Sequence, residues 1–225
     1  MRYGLEWSGQ VWYSIAWFYL TNKEDMKKVD VKVKGKRPLL FHAFKVEAIS
    51  NTSKVKSGSA GNDPEEWKNS VLEMNGQLFL PSSYWQSCMK AACAYTKAGR
   101  GSIQKSFIGC TGILTEQSLI DRHLPKGWEK LDIKDAPKDA SLPVYIDIRG
   151  VTNPNSKGKN IRYRVACSPG WTTEYSFYFD DKILSQSQIR KVIEDAGKMV
   201  GVGSARTLGY GRFSVEDCQI SDYED

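Results

Sequence analysis

The residues best suited to chemistry lie near the end of the chain, in Gly197-Lys-Met-Val-Gly-Val-Gly-Ser-Ala-Arg-Thr-Leu-Gly-Tyr-Gly-Arg-Phe213. Glycine has no Cβ, so Gly201, Gly203, Gly209 and Gly211 can take positive φ and bring the backbone close to another polymer. Arg206 and Arg212, with Tyr210 between them, then hold positive charge where phosphates could sit. The chemistry this predicts is non-covalent capture of a polyanion. A second group follows the same logic: Lys157, Lys159, Arg162 and Arg164, with Tyr163 between the two arginines. Guanidinium groups neutralise phosphate and a ring offers a stacking surface, which suits a single strand. The residues equally fit an edge strand protected from aggregation by charge, and both readings stay open. A third basic turn, Lys97 to Lys105, adds Arg100 and Lys105 as candidate anion contacts.

Candidates for catalysis are fewer. His42 follows the first strand, with Lys45 three residues later, and could serve as general acid or base in metal-free RNA cleavage. A lone histidine beside Phe41 and Phe44 is more often packed or solvated, and His123 sits in a polar stretch where solvation is the default. The five cysteines show no CxxC spacing, and neither histidine stands at ligand spacing from one, so the reading is no metal and no cofactor. Their odd number fits a reducing, cytoplasmic setting.

These side chains need a scaffold. With 225 residues, 40% of them hydrophobic, the chain can bury a core, and its formal charge of +6 is compatible with a nucleic-acid partner. The first 25 residues crowd Trp7, Trp12, Trp17 and Phe18 into a stretch too short for a membrane span, and no membrane association is expected. Met26 is read as a candidate initiator, with residues 1–25 a start-site extension; the alternative is an interfacial segment used for self-association. Val29, Val31 and Val33 alternate with Asp30, Lys32 and Lys34 in a first strand. Residues 50–63 read as a long loop carrying Lys54 and Lys56. Ser82 or Ser83 is placed as the cap of a helix with Trp85, Cys88, Met89, Ala92 and Cys93 inward, closed by Gly99. Phe107 to Leu114 is expected as a buried strand, 121–143 as a surface connection, and 144–166 as a hairpin. Thr173 to Phe179 gives a strand, Ser185 with Gln188 a capping box opening a helix, and Arg212 to Val215 a last strand. An acidic tail, Glu216 to Asp225, is expected to fray.

Stripped of loop and hairpin, the order is βαββαβ, an α+β, ferredoxin-like or RRM-like antiparallel sheet with two helices. No RNP-type aromatic pattern accompanies it. VDVKVKGKRPLLFHAF, LFLPSSYWQSCMKAA, the basic hairpin and above all AGKMVGVGSARTLGYGRFSV resemble the RAMP superfamily, particularly the backbone subunits of CRISPR effector complexes and their phage or mobile-element relatives. The resemblance spans residues 26–217 as one domain, with 218–225 a tail. It implies that sheet and glycine loop cradle a nucleic-acid backbone while a protruding hairpin separates or kinks the strand. Gly201, Gly203, Arg206, Gly209, Gly211 and Arg212 would then form the binding loop. Partners implied are single-stranded RNA or DNA, RNA the first choice, together with copies of the chain or other subunits of an assembly. Relatives that cut target RNA use a loop aspartate; Asp63 lies in a loop here, but no motif around it supports that role. A processing ribonuclease using His42, or a structural assembly protein that binds no nucleic acid, remain the alternatives.

Overall fold

The computed structural model describes residues 25–43, 63–152 and 157–224. Lys45, Lys54, Lys56, the loop reading over 50–62 and nearly all of the N-terminal segment lie outside the described residues. The fold is mixed α and β, with an antiparallel sheet and few helices. In order, the chain forms β1 (Met26–Gly35), β2 (Leu39–Leu40), α1 (Glu66–Ser70), β3 (Glu73–Met74), β4 (Gln77–Pro81) and α2 (Ser82–Ala92). There follow β5 (Lys97–Ala98), β6 (Gly101–Ser102), α3 (Gln104–Cys110), β7 (Thr111–Ile113) and β8 (Gln117–His123). The remainder is β9 (Val144–Thr152), β10 (Lys159–Cys167), β11 (Thr172–Asp180), α4 (Gln186–Asp195) and β12 (Phe213–Asp222).

The main sheet has seven strands in the order β12-β1-β11-β8-β4-β3, with β7 also paired to β11. The alternation in β1 does what its sequence predicts: Val29, Val31 and Val33 are buried and Lys32 and Lys34 are exposed. Tyr175, Phe177 and Phe179 of β11 point to the same inner face. Against it lie the stripes of α2 (Trp85, Cys88, Met89, Ala92) and α4 (Ile189, Val192, Ile193). Trp85 stacks on Tyr175 with ring centroids 4.0 Å apart and donates from Nε1 to Ser118 Oγ at 2.8 Å. Fully buried rings such as these dominate the apolar stabilisation, each contributing about 2–3 kcal/mol relative to exposure. The capping box at α4 forms as expected, with Gln188 N–H donating to Ser185 Oγ and Ser185 N–H to Gln188 Oε1.

Several elements differ from expectation. Ser82 opens α2 as its first helical residue after Pro81, its N–H donating to the Glu116 carbonyl, and neither serine side chain caps the helix. The helix ends at Ala92, and Gly99 (φ 59°) instead turns the small β5–β6 ribbon. Of Phe107 to Leu114 the first half, Phe107–Cys110, belongs to helix α3 and Thr111–Ile113 forms the short β7; buried Phe107 and Cys110 stand at the i, i+3 spacing of one helix face, which a strand would put on opposite faces. The expected connection over 121–143 begins inside strand β8 and carries buried Leu124, Trp128 and Ala136. The acidic tail does not fray from Glu216, since β12 pairs with β1 from Gly35↔Phe213 to Lys27↔Asp222.

Candidate nucleic-acid interface

The glycine loop is built by folding back on its own chain. α4 runs into a π-helical turn, Ala196–Val200, closed by Gly201 N–H donating to the Ala196 carbonyl at 2.7 Å. Val202 N–H then donates to Gly211 C=O (3.0 Å), Gly211 N–H to Pro38 C=O (2.8 Å) and Ser204 N–H to Leu40 C=O (2.8 Å). A Cβ on Gly211 would lie 1.7 Å from the Val202 carbonyl oxygen, and one on Gly203 would lie 2.6 Å from Leu39 Cδ1. This corrects the reason given for the glycines: Gly201, Gly203 and Gly211 serve close approach within the protein. What the loop offers to solvent is its tip. Ala205 (φ 58°) and Gly209 (φ 84°), both left-handed, flank a single 3-10 turn, Arg206–Leu208, in which Thr207 and Leu208 are exposed.

The β9–β10 hairpin joins β2 in a separate three-stranded sheet of order β2-β10-β9. Residues directly opposite in an antiparallel ladder share a face. The pairs Tyr145↔Ala166, Asp147↔Arg164 and Arg149↔Arg162 therefore line one face, which places Arg162 and Arg164 together as their alternation predicts. Like charges directly opposite are destabilising, and here each receives a carboxylate. Arg149 Nε donates to Asp147 Oδ2 at 2.5 Å and its Nη2 to Oδ1, while Arg162 Nη1 donates to Glu66 Oε1 at 2.5 Å. Asp147 holds the Arg149 guanidinium well above its ordinary pKa. Among the described residues Arg164 has no such carboxylate bound to it. Its side chain is only 7% exposed, its Nε has no hydrogen-bond partner among the described residues, and burial lowers its pKa while Glu66 opposes that shift.

Tyr210 links loop and hairpin. The Arg149 guanidinium lies 4.5 Å from its ring centroid, and Leu40, Tyr145 and Ala166 pack with Ala205 and Tyr210 in a small cluster of their own. Arg149 is the member that sequence reasoning missed; the alternation of Asp147 and Arg149 along β9 was the available signal. Tyr163 points to the opposite face from the two arginines and packs half-buried against the main core, so it is no stacking platform between them. Lys157 (φ 58°) and Lys159 are exposed at the far end of the hairpin, whose turn over 153–156 lies outside the described residues.

Between loop and α2 opens a cleft of about 240 Å³ lined by His42, Tyr84, Ser87, Gly203, Ser204 and Arg206. His42 Nδ1 is 3.9 Å from Glu66 Oε1. Burial, reinforced by the Arg164 charge and opposed by Glu66, lowers its pKa below the ordinary histidine value, which favours the neutral ring. Arg206 shares this cleft with Tyr84 and Ser87 of α2. Arg212 Nη1 is buried without a hydrogen-bond partner among the described residues. Arg100 and Lys105 are not brought to this place. Gln104, opening α3, donates to the carbonyl of Lys90 at the other end of α2 from Tyr84 and Ser87, and Arg100 precedes it in an exposed turn. Asp63 accepts from Glu65 N–H at 2.9 Å, a turn just ahead of α1.

The outer face of the main sheet is electrically matched. Lys28 pairs with Asp30 at 3.0 Å and Lys32 with Glu174 at 3.1 Å, and Ser176 donates to Asp30. Among the described residues no group of His, Cys, Asp and Glu could hold a metal ion, and no helix is long and apolar enough to cross a membrane.

No family model matches the sequence, and no curated protein matches it. A chain in the cryo-EM structure of the Type III-B Cmr-beta bound to cognate target RNA is similar in structure, with a TM-score of 0.46 and 13% sequence identity, over 97% of this chain and 68% of that one.

Proposed function

We propose that this chain is a non-catalytic binder of single-stranded nucleic acid, RNA in the first place, that grips the phosphate backbone between its glycine loop and the arginine face of its hairpin. The observation that carries the reading is the convergence of Arg206, which lines the cleft with His42, and Arg162, which meets the same Glu66 oxygen as His42 and shares a strand face with Arg164, with Arg149 on Tyr210 at the neighbouring junction. Burying or half-burying several guanidinium groups in one place costs desolvation energy that a phosphate chain offsets. A ferredoxin-like core of the RAMP type is part of the proposal, supported by the run β12-β1-β11-β7 with α2 and α4 packed on its inner face. So is a role as one subunit of a CRISPR-like or phage ribonucleoprotein assembly.

The test is fluorescence anisotropy with labelled single- and double-stranded RNA and DNA at about 50 and 200 mM salt. The wild-type chain is expected to prefer single strands, with affinity falling steeply in salt. Arg206→Glu combined with Arg212→Glu should weaken binding at least about tenfold and flatten the salt slope by about 1–2, with the circular dichroism of the folded protein retained. Equal binding by a folded double variant would overturn the proposal. The same RNA should be recovered at full length. His42 in the cleft favours one second reading, a metal-independent ribonuclease, and cutting that disappears in His42→Ala while binding persists would establish it in place of the first.

A further inference from the structure

The carboxylate of Glu66 sits in a ligand set that suits a phosphate. It accepts from Arg162 Nη1 at 2.5 Å and from the Tyr163 backbone N–H at 3.0 Å, and lies 3.9 Å from His42 Nδ1. Among the described residues β2 pairs with β10 at Ala166 and Cys167, with Phe41 N–H donating to the Val165 carbonyl, and beyond that point it is the Glu66 side chain of α1, not a strand, that takes the Tyr163 N–H. A guanidinium beside a free backbone donor is a recurring way to hold an oxyanion. Close by is Arg164, more than nine-tenths buried and with Nε unpartnered, while the Asp147 oxygens opposite it are both engaged by Arg149. Among the described residues, Arg149, Arg162 and Arg164 on this face thus meet two carboxylates, Asp147 and Glu66, one engaged by Arg149 and the other by Arg162.

We infer that Arg162, the Tyr163 N–H and Arg164 form a subsite for one backbone phosphodiester, and that Glu66 is its intramolecular placeholder, displaced when the strand binds. This rests on the function proposed above and assigns it a specific contact. Displacement needs only a side-chain rotation, because α1 is held by its neighbour: Trp67 is 1% exposed and packs on Trp128 at a centroid distance of 5.8 Å, and Ala43 N–H donates to the Ser70 carbonyl. Glu66 therefore competes with the ligand, and removing its charge strengthens binding.

The experiment compares wild type, Glu66→Gln, Arg162→Gln and the double variant for binding of a labelled single-stranded oligouridylate, with thermal unfolding confirming the folded state of each. Glutamine keeps the size and an acceptor for the Tyr163 N–H. Glu66→Gln is expected to bind about three- to tenfold more tightly, with a steeper salt dependence, and Arg162→Gln to bind more weakly and to cancel the gain in the double variant. Unchanged or weaker binding by Glu66→Gln overturns the inference, as does a gain that survives in the double variant. Should Glu66→Gln fail to fold, Glu66→Ala, which removes the same charge, must show the gain. Salt-dependent binding by the wild type with no gain in either variant sinks the placeholder alone, whereas no binding by the wild type sinks the proposed function with it.

Discussion

A single carbonyl oxygen decides what residue 211 can be. With φ at 66° and the Val202 oxygen 1.7 Å from where a Cβ would stand, Gly211 admits no side chain unless the loop backbone moves. Gly209 has a similar φ of 84° but nothing within 4 Å of its Cβ position. Gly211→Ala should therefore cost more than about 3 kcal/mol and Gly209→Ala about 1 kcal/mol, the second being conformational strain alone. Urea denaturation of both variants checks this, and equal losses would mean that the loop does not pack on itself as described. The glycine-rich stretch was legible in the sequence because glycine is rare enough in such density to demand a backbone reason. Which reason was not legible, since Val202, Pro38 and Leu40 come together only in the fold. The same limit applies to charge. Arg162 and Arg164 announced a basic strand, but Glu66, which neutralises one of them, lies 96 residues away from Arg162.

Elements fixed by local rules were readable, and those fixed by distant partners were not. The capping box of Ser185 and Gln188 and the alternation of Val29, Val31 and Val33 each work within a few residues, so their sequence suffices. Strand β8 inverts the usual signal: Ser118 is buried and Leu119 is 43% exposed, because Ser118 is the acceptor for the Trp85 indole. No periodicity argument finds such a strand. β12 was cut short for a related reason, as acidic residues at an edge resemble a tail when their partners are unseen. Its pairing places Asp217 beside Lys32 and Asp222 beside Lys27, Ile220 packs partly against the core, and Arg190 donates to the Cys218 carbonyl at 2.9 Å. Deleting residues 216–225 should accordingly lower stability by at least about 2 kcal/mol and expose β1 amides to faster hydrogen exchange. A frayed tail would leave both quantities unchanged.

At the scale of the whole molecule the question is whether a polyanion responds to total charge or to its placement. The formal charge of +6 attracts polyanions from any direction, and at physiological salt that attraction is screened within about 8 Å. The outer sheet face cannot add much locally, because Lys28 and Lys32 are answered by Asp30 and Glu174. The cleft lies on the helix side, lined by Tyr84 and Ser87 of α2, whose buried stripe packs on the inner face. Lys28→Glu with Lys32→Glu removes the same charge as the double reversal of Arg206 and Arg212, yet acts on the opposite side of the sheet. The outer-face variant should hold affinity for single-stranded RNA within about twofold at about 0.15 M salt, while the loop variant loses at least about tenfold. Similar losses in both would make net charge the determinant, and the arrangement of arginines around the glycine loop would then have no part in binding.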